Sequence, residues 1–150
     1  VTPLGGQKHS AFFFPHQNES GYWWQGENAR LASLAAAAGL ASRRFWQDRE
    51  LADRLSRYAS DQLDWILGLN PFDVCMLHGF GRNNPEYEER FPNAYGGICN
   101  GITGGFADEQ DIDFLPLPYA NEGKHRWRWS EQWLPHAAWY LLAVCAGGCY

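Results

Sequence analysis

The chain lacks both a surplus of basic residues and a long apolar run. Its 12 lysines and arginines are outnumbered by 17 aspartates and glutamates, which gives a formal net charge of −5. Nucleic-acid binding depends on a basic field that holds phosphates, so we expect no nucleic acid as a partner. No uninterrupted apolar stretch approaches the roughly 20 residues of a membrane-spanning helix, so we expect no membrane partner either.

Cysteine is sparse as well, with four residues in a chain of 150. A chain of this size that is rich in core residues does not need a disulfide framework, and we expect buried thiols at Cys75, Cys99, Cys145 and Cys149. Cys75 and His78 lie three positions apart, but no second pair at zinc-site spacing accompanies them. Unpaired thiols favour a cytoplasmic location over a periplasmic or secreted one.

Apolar and aromatic residues are abundant instead, at 45% and 16% of the chain, and they include eight tryptophans. The length is near that of one domain, and this composition can supply a buried core. Eight tryptophans are more than packing normally requires. The chain begins at Val1 rather than at methionine, and an aromatic segment at 12–16 precedes the first helix pattern. We therefore expect the chain to be part of something longer.

Three segments have the apolar spacing of helices. Residues 27–41 are rich in alanine and leucine, and residues 48–67 repeat apolar positions at steps of three and four, with Asn70-Pro71 expected to end that helix. Residues 133–147 are apolar almost all round, which predicts a helix buried on most sides. No alternating strand pattern persists, so the predicted fold class is all-α.

About 60 residues rich in glycine, proline and asparagine separate the second and third helices, and connections of that length are usually functional. Several polar residues in this connection, or in the loop before the first helix, are ligand candidates, although surface or backbone-bonding roles fit them equally well. They are His16, His78, Arg82 and Asn83. Glycines beside Asn100 allow a close backbone approach, so its amide is placed to bond a sugar hydroxyl.

Four carboxylates crowd into one stretch of that connection and offer enough oxygen ligands for a hard cation such as calcium. They are Asp108, Glu109, Asp111 and Asp113. The spacing is not that of an EF-hand, and acidic loops are often only solvated surface. The same acidic wall could instead face the ammonium group of an amino sugar. No other cofactor is predicted.

A single carboxylate, Glu131, lies among the tryptophans of residues 127–133, directly before the third helix. A carboxyl group packed against apolar rings resists ionisation, which makes Glu131 a candidate proton donor. If residues 127–131 are extended, Trp127, Trp129 and Glu131 share one side of the chain, away from the neighbouring arginine. The two tryptophans fit a sugar platform and a core position equally well. A simple helix-capping role is the competing explanation for the carboxylate.

Two linked motifs then make a family resemblance specific. Residues 67–71 read Leu-Gly-Leu-Asn-Pro and residues 78–83 read His-Gly-Phe-Gly-Arg-Asn, which resembles the paired motifs of glycoside hydrolase family 9. Upstream, residues 22–30 are similar to the tryptophan and asparagine that open one of the family's helices. Downstream, Ser130-Glu131 resembles the family's Asn-Glu. The resemblance covers most of the chain, in the family's order.

The resemblance implies the C-terminal portion of an (α/α)6 barrel whose N-terminal part lies outside these residues. It implies Glu131 as general acid in hydrolysis of β-glycosidic bonds with inversion, and Trp24 and Asn28 among the substrate-binding residues. The family's base is an aspartate of an Asp-Ala-Gly-Asp motif that this chain does not contain. An inverting site needs two carboxylates about 6.5–9.5 Å apart, so we expect the base outside the chain and the isolated chain to be inactive.

One departure from the family concerns the substrate. Many family 9 cellulases carry a His-His-Arg that grips the glucan, whereas residues 84–90 here read Asn-Pro-Glu-Tyr-Glu-Glu-Arg. This favours the branch of exo-acting β-glucosaminidases and β-glucosidases, which act on short oligosaccharides. The competing hypothesis is a noncatalytic carbohydrate-binding helical module, motivated by the tryptophan density and the single motif carboxylate. A helical-barrel lyase or epimerase, which would need a central tyrosine or histidine, is a third possibility.

Overall fold

The computed structural model describes residues 25–86, 90–103, 112, 114 and 121–148. Its helices are α1 at Asn28–Arg44, α2 at Arg49–Leu67, a single turn α3 at Trp127–Ser130 and α4 at Leu134–Gly147, with a 3₁₀ turn at Gly123–His125. Over these residues the extended pairing is limited to isolated bridges. For the described residues, the predicted all-α fold class is confirmed, because the regular elements are helices.

The start of α2 is set by a side-chain cap. Asp48 accepts a hydrogen bond from the Leu51 backbone N–H at 3.0 Å, which satisfies one of the free donors of the first turn. The helix ends at Leu67, as predicted, and Gly68 is its C-cap with a φ of 123°, a conformation that favours glycine, so the helix stops before Asn70-Pro71 is reached. The Asn70 side chain instead organises the next turn, donating to the carbonyls of Trp65 and Val74.

Helix α1 packs against both α2 and α4 through small residues. The shared contact is made by Ala35, Ala36, Ala38, Ala59 and Ala143. At the far end of this contact Gly39 faces Ala146, where an added Cβ would come within 3.2 Å of the Ala146 side chain. Small side chains let the helix axes approach closely, so α1 is the central element of the described fold.

A second core joins the N-terminal part of α1 and the end of α2 to the irregular α2–α3 connection. Met76, Ile98, Cys99 and Ile102 of the α2–α3 connection are each at most 1% exposed, and they pack with the buried Trp129. The connection therefore belongs to the interior of the protein. Its burial fixes where the polar residues between these apolar positions lie.

Two burial predictions are wrong. Helix α4 is not buried on most sides, because Leu134 is 81% exposed and Leu141 is 64% exposed. An apolar composition shows that a helix prefers burial, but it does not show how many neighbours cover it. The described helices that pack on α4 are α1 and, less extensively, α2. Cys75 and Cys99 are buried thiols as expected, whereas Cys145 is exposed. Among the described residues, no helix is long and apolar enough to cross a membrane.

Candidate functional site

Four distant stretches of chain meet beside the N-terminus of α1. We call residues 25–28, 76–78, 94–103 and 126–132 the loop junction. The Gly26 N–H donates to the Arg128 carbonyl at 2.8 Å, and the Asn28 N–H donates to the Asn100 carbonyl at 3.1 Å. These bonds satisfy backbone groups that would be costly to bury unpaired, and they fix the first residues of α1 against the connection.

Glu131 is held in this junction by its own main chain. It follows α3 in an extended conformation, with φ −70° and ψ 140°, and its carbonyl accepts the Asn100 N–H at 2.9 Å. Its side chain is half-buried, and within the described part of the chain its carboxylate has no hydrogen-bond or ion-pair partner. The backbone is thus fixed while the acid group keeps its bonding capacity for a ligand.

The capping explanation for Glu131 does not fit the structure. Helix α4 begins at Leu134, its N-cap residue is Trp133, and no side chain caps it. Proline occupies the first turn, where its missing N–H costs nothing. Helix capping therefore does not account for Glu131, and a role as proton donor stays open to its carboxylate.

The segment before Glu131 is helical rather than extended, so the expected alternation of its side chains is wrong. Trp129 is 2% exposed and belongs to the core, while Trp127 is only partly buried. The Trp127 ring is parallel to that of Trp133, with centroids 6.1 Å apart and an angle of 2° between planes. The Arg128 guanidinium lies 4.4 Å from the Trp127 ring centroid. The cation is therefore beside the aromatic rings and not on an opposite side.

Asn28 and Asn100 lie at the centre of the junction, each with no exposed area. The Asn28 Nδ2 donates to the Cys99 carbonyl at 2.8 Å, and the Asn100 Nδ2 donates to the Trp127 carbonyl at 2.6 Å. Their Oδ1 atoms are buried and accept no hydrogen bond in the described structure. In this structure both side chains hold loops together, and a bond to a sugar would require one of them to become accessible.

His78 approaches Glu131 through the next residue, Gln132. The Gln132 Oε1 accepts the Ala94 N–H at 2.7 Å, which orients the amide so that its Nε2 faces the His78 Nδ1 at 3.2 Å. The same Nδ1 is 3.1 Å from the Ala94 carbonyl oxygen. Gly97 leaves room for this arrangement, because an added Cβ would overlap the Gln132 amide.

Arg82 and Asn83 form a separate exposed turn. The Arg82 guanidinium donates to the Asp73 Oδ1 at 2.8 Å, and the Asn83 Nδ2 donates to the Asp73 Oδ2 at 2.9 Å. Asp73 and Asn83 both have positive φ, at 52° and 53°, a left-handed backbone conformation that asparagine and aspartate adopt more readily than most other residues. Neither Arg82 nor Asn83 takes part in the loop junction. The structure brings six other predicted site residues into it: Asn28, His78, Asn100, Trp127, Trp129 and Glu131.

The remaining predicted positions lie outside the described residues. They are His16, Trp24, Asp108, Glu109, Asp111 and Asp113. Across the part of the chain that is described, no group of three or more histidine, cysteine, aspartate or glutamate side chains could hold a metal ion. The calcium site therefore stays a prediction.

Sequence reasoning overlooked three residues of the junction region: Gln132, Tyr95 and Phe80. Gln132 was masked by its more conspicuous neighbour, and its role depends on a partner 54 positions away. Tyr95 is 73% exposed and Phe80 is 48% exposed, and their rings lie 5.0 Å apart. The sequence did hold a signal for the two aromatic residues, because Tyr95 precedes Gly96-Gly97 and Phe80 lies between two glycines, which places both rings in turns.

Burial changes the acidity of two groups near the junction. It raises the pKa of the Cys99 thiol to about 12, which keeps this cysteine protonated. It lowers the pKa of His136, on α4, to about 4, opposed only in part by the nearby Trp133 carbonyl. His136 is 1% exposed, and its ring nitrogens have no hydrogen-bond partner of good geometry among the described residues. It is a neutral, buried imidazole at physiological pH.

Comparison with known proteins adds no relative: no model of a protein family matches the chain, and no curated protein matches it.

Proposed function

We propose that the chain is the acid-bearing portion of a glycosidase that hydrolyses β-glycosidic bonds with inversion of configuration. Glu131 is the general acid, and the base is an aspartate outside these 150 residues. The proposal includes the family 9 resemblance and, with it, the C-terminal portion of an (α/α)6 barrel. The substrate class is a short β-linked oligosaccharide.

One observation carries the proposal: a carboxylate without a described partner stands at the point where the resembling segments converge. Residues 22–30, 78–83 and 130–131 are remote in sequence, yet the described parts of all three belong to the loop junction or adjoin it. Glu131 is fixed there by its backbone and does not cap α4. A general acid needs a fixed position, and a carboxyl group that no described residue engages can bond a substrate oxygen.

In the proposed reaction the Glu131 carboxyl group gives its proton to the glycosidic oxygen as the bond to the anomeric carbon breaks. A water molecule, activated by the external carboxylate, attacks the anomeric carbon from the opposite face. The water's proton goes to the base, and the sugar leaves with inverted configuration. The partly buried Trp127, whose carbonyl accepts the Glu131 N–H at 3.3 Å, belongs to the same segment and is the aromatic candidate there for contact with the sugar.

The test is Glu131→Gln in the complete polypeptide that carries these residues. Protonation of the leaving oxygen is worth roughly 10²- to 10⁴-fold, so turnover of an unactivated oligosaccharide should fall by about that factor. Turnover of an aryl glycoside with an acidic phenol should fall much less, because that leaving group needs little protonation. Glu50→Gln, in the exposed first turn of α2, is the matched control and should leave both rates unchanged.

Near-normal turnover of the unactivated substrate by Glu131→Gln would exclude Glu131 as the acid. Proton NMR of the first product anomer tests the stereochemistry separately, and a retained anomer would reject inversion. A complete polypeptide that binds oligosaccharide but hydrolyses none would instead favour the noncatalytic carbohydrate-binding module.

A further inference from the structure

An aromatic group beside the loop junction is open to solvent. We call His78, Phe80 and Tyr95 the aromatic cluster. The Phe80 and Tyr95 rings are 5.0 Å apart at 53°, and the His78 and Tyr95 rings are 6.3 Å apart at 43°. Tyr95 is nevertheless 73% exposed, so the contacts order its ring without covering it. Ordered and exposed aromatic rings are typical of binding surfaces.

The chain around the cluster is built to hold it. Gly79 has a φ of 82°, and an added Cβ there would overlap the Tyr95 ring. The His78 carbonyl accepts the Gly96 N–H at 2.8 Å, and the His78 N–H donates to the Gly97 carbonyl at 2.9 Å. The turn that carries Tyr95 is thus bonded on both sides to the turn that carries the other two rings.

A second turn contact stabilises the Phe80 side of the cluster. The Asn84 Nδ2 donates to the Phe80 carbonyl at 2.7 Å and to the Cys75 carbonyl at 2.9 Å, while its Oδ1 accepts the Gly79 N–H at 3.0 Å. One amide therefore closes the whole glycine-rich turn. Phe80 is exposed on a preformed loop rather than on a loosely held one.

Gln132 fixes the distance between the cluster and the acid. Its amide bonds the Ala94 N–H, next to Tyr95, and contacts the His78 imidazole, while its main chain follows Glu131 directly. The Cys99–Gln132 bridge ties the same residue to the connection. The cluster is therefore held at a set position relative to Glu131.

We propose that the aromatic cluster is a sugar-binding subsite for a β-linked oligosaccharide and that Gln132 is the positioning residue for its histidine. The proposal rests on the proposed function. A pyranose ring has an apolar C–H face, and the cluster offers the matching chemistry of two exposed aromatic rings beside an imidazole. The His78 Nδ1 faces one group that can only donate, the Gln132 Nε2 at 3.2 Å, and one that can only accept, the Ala94 carbonyl at 3.1 Å, so its tautomer decides which contact is a hydrogen bond. The proposal assigns Gln132 as the donor, which puts the proton of the neutral imidazole on Nε2.

The binding test uses the complete polypeptide with Glu131→Gln, which is expected to slow turnover, and β-1,4-linked pentamers of glucose and of glucosamine as probes. Tyr95→Ala should weaken binding of the preferred pentamer by about 2- to 12-fold, the effect expected for loss of one aromatic contact. Tyr95→Phe keeps the ring and should bind within about twofold of the parent. Trp46→Ala removes a ring that is 68% exposed between α1 and α2, and it should change nothing.

Equal binding by Tyr95→Ala and its parent would overturn the subsite, as would an equal loss in Trp46→Ala or a parent that binds neither pentamer. Binding of an unrelated protein at this cluster with no sugar response would also overturn it. Failure of the proposed function has a different result, which is retained turnover in Glu131→Gln. In that case the difference in pentamer binding between Tyr95→Ala and Tyr95→Phe still tests the subsite.

The positioning role of Gln132 has its own spectroscopic readout. In the parent, ¹⁵N NMR of the neutral His78 imidazole should show the proton on Nε2. In Gln132→Leu the donor is gone, and the proton should move to Nδ1, where the Ala94 carbonyl at 3.1 Å accepts it. Gln132→Asn, with the same amide on a shorter stem, should restore part of the Nε2–H form. An unchanged tautomer in Gln132→Leu would reject the positioning role.

Discussion

His136 makes the free energy of unfolding depend on pH in a defined window. Its pKa is about 4 in the folded chain against an ordinary value of 6.5, because burial disfavours the charged imidazole. The unfolded chain therefore takes up a proton first as the pH falls. The stabilisation by neutral His136 is fully present above pH 6.5, declines between pH 6.5 and about 4, and is gone below that.

The size of this effect follows from the pKa difference. At 1.36 kcal/mol per pKa unit, the change from 6.5 to about 4 corresponds to about 3 kcal/mol of unfolding free energy. The steepest slope is about 1.4 kcal/mol per pH unit, in the middle of the window. A loss of this size is a substantial part of the 5–15 kcal/mol that typically stabilises a domain.

The variant that removes the effect is His136→Leu, which roughly conserves volume and leaves no buried ring nitrogen. Near pH 7.5 its unfolding free energy should be within about 1.5 kcal/mol of the parent's, because volume-conserving apolar replacements are tolerated and the nitrogens have no described partner of good geometry. Near pH 4 the variant should be the more stable of the two. The two pH profiles should therefore cross or converge.

Urea unfolding followed by tryptophan fluorescence at pH 7.5, 6.0, 5.0 and 4.5 measures these profiles, with a constant m-value as the check on two-state behaviour. His125→Gln is the comparison variant. His125 lies nearer the surface, where it contacts Arg128, and its replacement should keep most of the pH dependence. Parallel profiles for the parent and His136→Leu would refute the reasoning, as would protonation of His136 above pH 6 in an NMR titration.

Three further predictions concern the backbone, a cap and the thiols. Gly101→Ala should lower the unfolding free energy by about 2 kcal/mol or more in urea titrations, because φ at Gly101 is 91° and the added Cβ would meet the buried Asn28 side chain. Gly96→Ala is the control: φ there is 80° but the space is open, so the loss should be only about 1 kcal/mol. Equal losses in the two variants would contradict the steric argument. Asp48→Ala should cost about 1 kcal/mol in the same assay through loss of the α2 cap, whereas Asp48→Asn should recover most of it. Alkylation at pH 8 followed by mass spectrometry should label the exposed Cys145 well before the buried Cys99, whose thiol has its pKa raised to about 12; faster labelling of Cys99 would show that the core opens readily.

The sequence predicts the helices well because the signals for them are local. The apolar spacing of α1 and α2 is visible within each segment, and the described ends differ from the expected ones by at most a few residues. The exposure of α4 was not predictable, since its apolar composition is the same whether one or three neighbours cover it. The one-turn helix α3 was missed for a related reason. Its final turn is held by the Ser130 hydroxyl, which donates to the Arg126 carbonyl at 2.8 Å, and by bonds to remote segments.

The candidate site divides in the same way. The position of Glu131 outside α4 could be predicted from the proline in the first turn of that helix. The burial of Asn28 and Asn100 could not, because it depends on which segments meet around them. Gln132 and Tyr95 acquire their roles only when residues 78, 94 and 132 are brought together, and no local pattern reports that pairing.

The way the loop junction is assembled also bears on when it forms and when it is lost. Its bonds join residues 71 positions apart, as between Asn28 and Cys99, and 54 apart, as between His78 and Gln132. Helical turns of α1 and α2 need only neighbours four residues away and form in microseconds, whereas these pairings require closure of long loops. We expect the helices to form before the junction and to outlast it as the protein is destabilised. Helix content measured by circular dichroism is therefore a poor indicator of whether Glu131 is still in place.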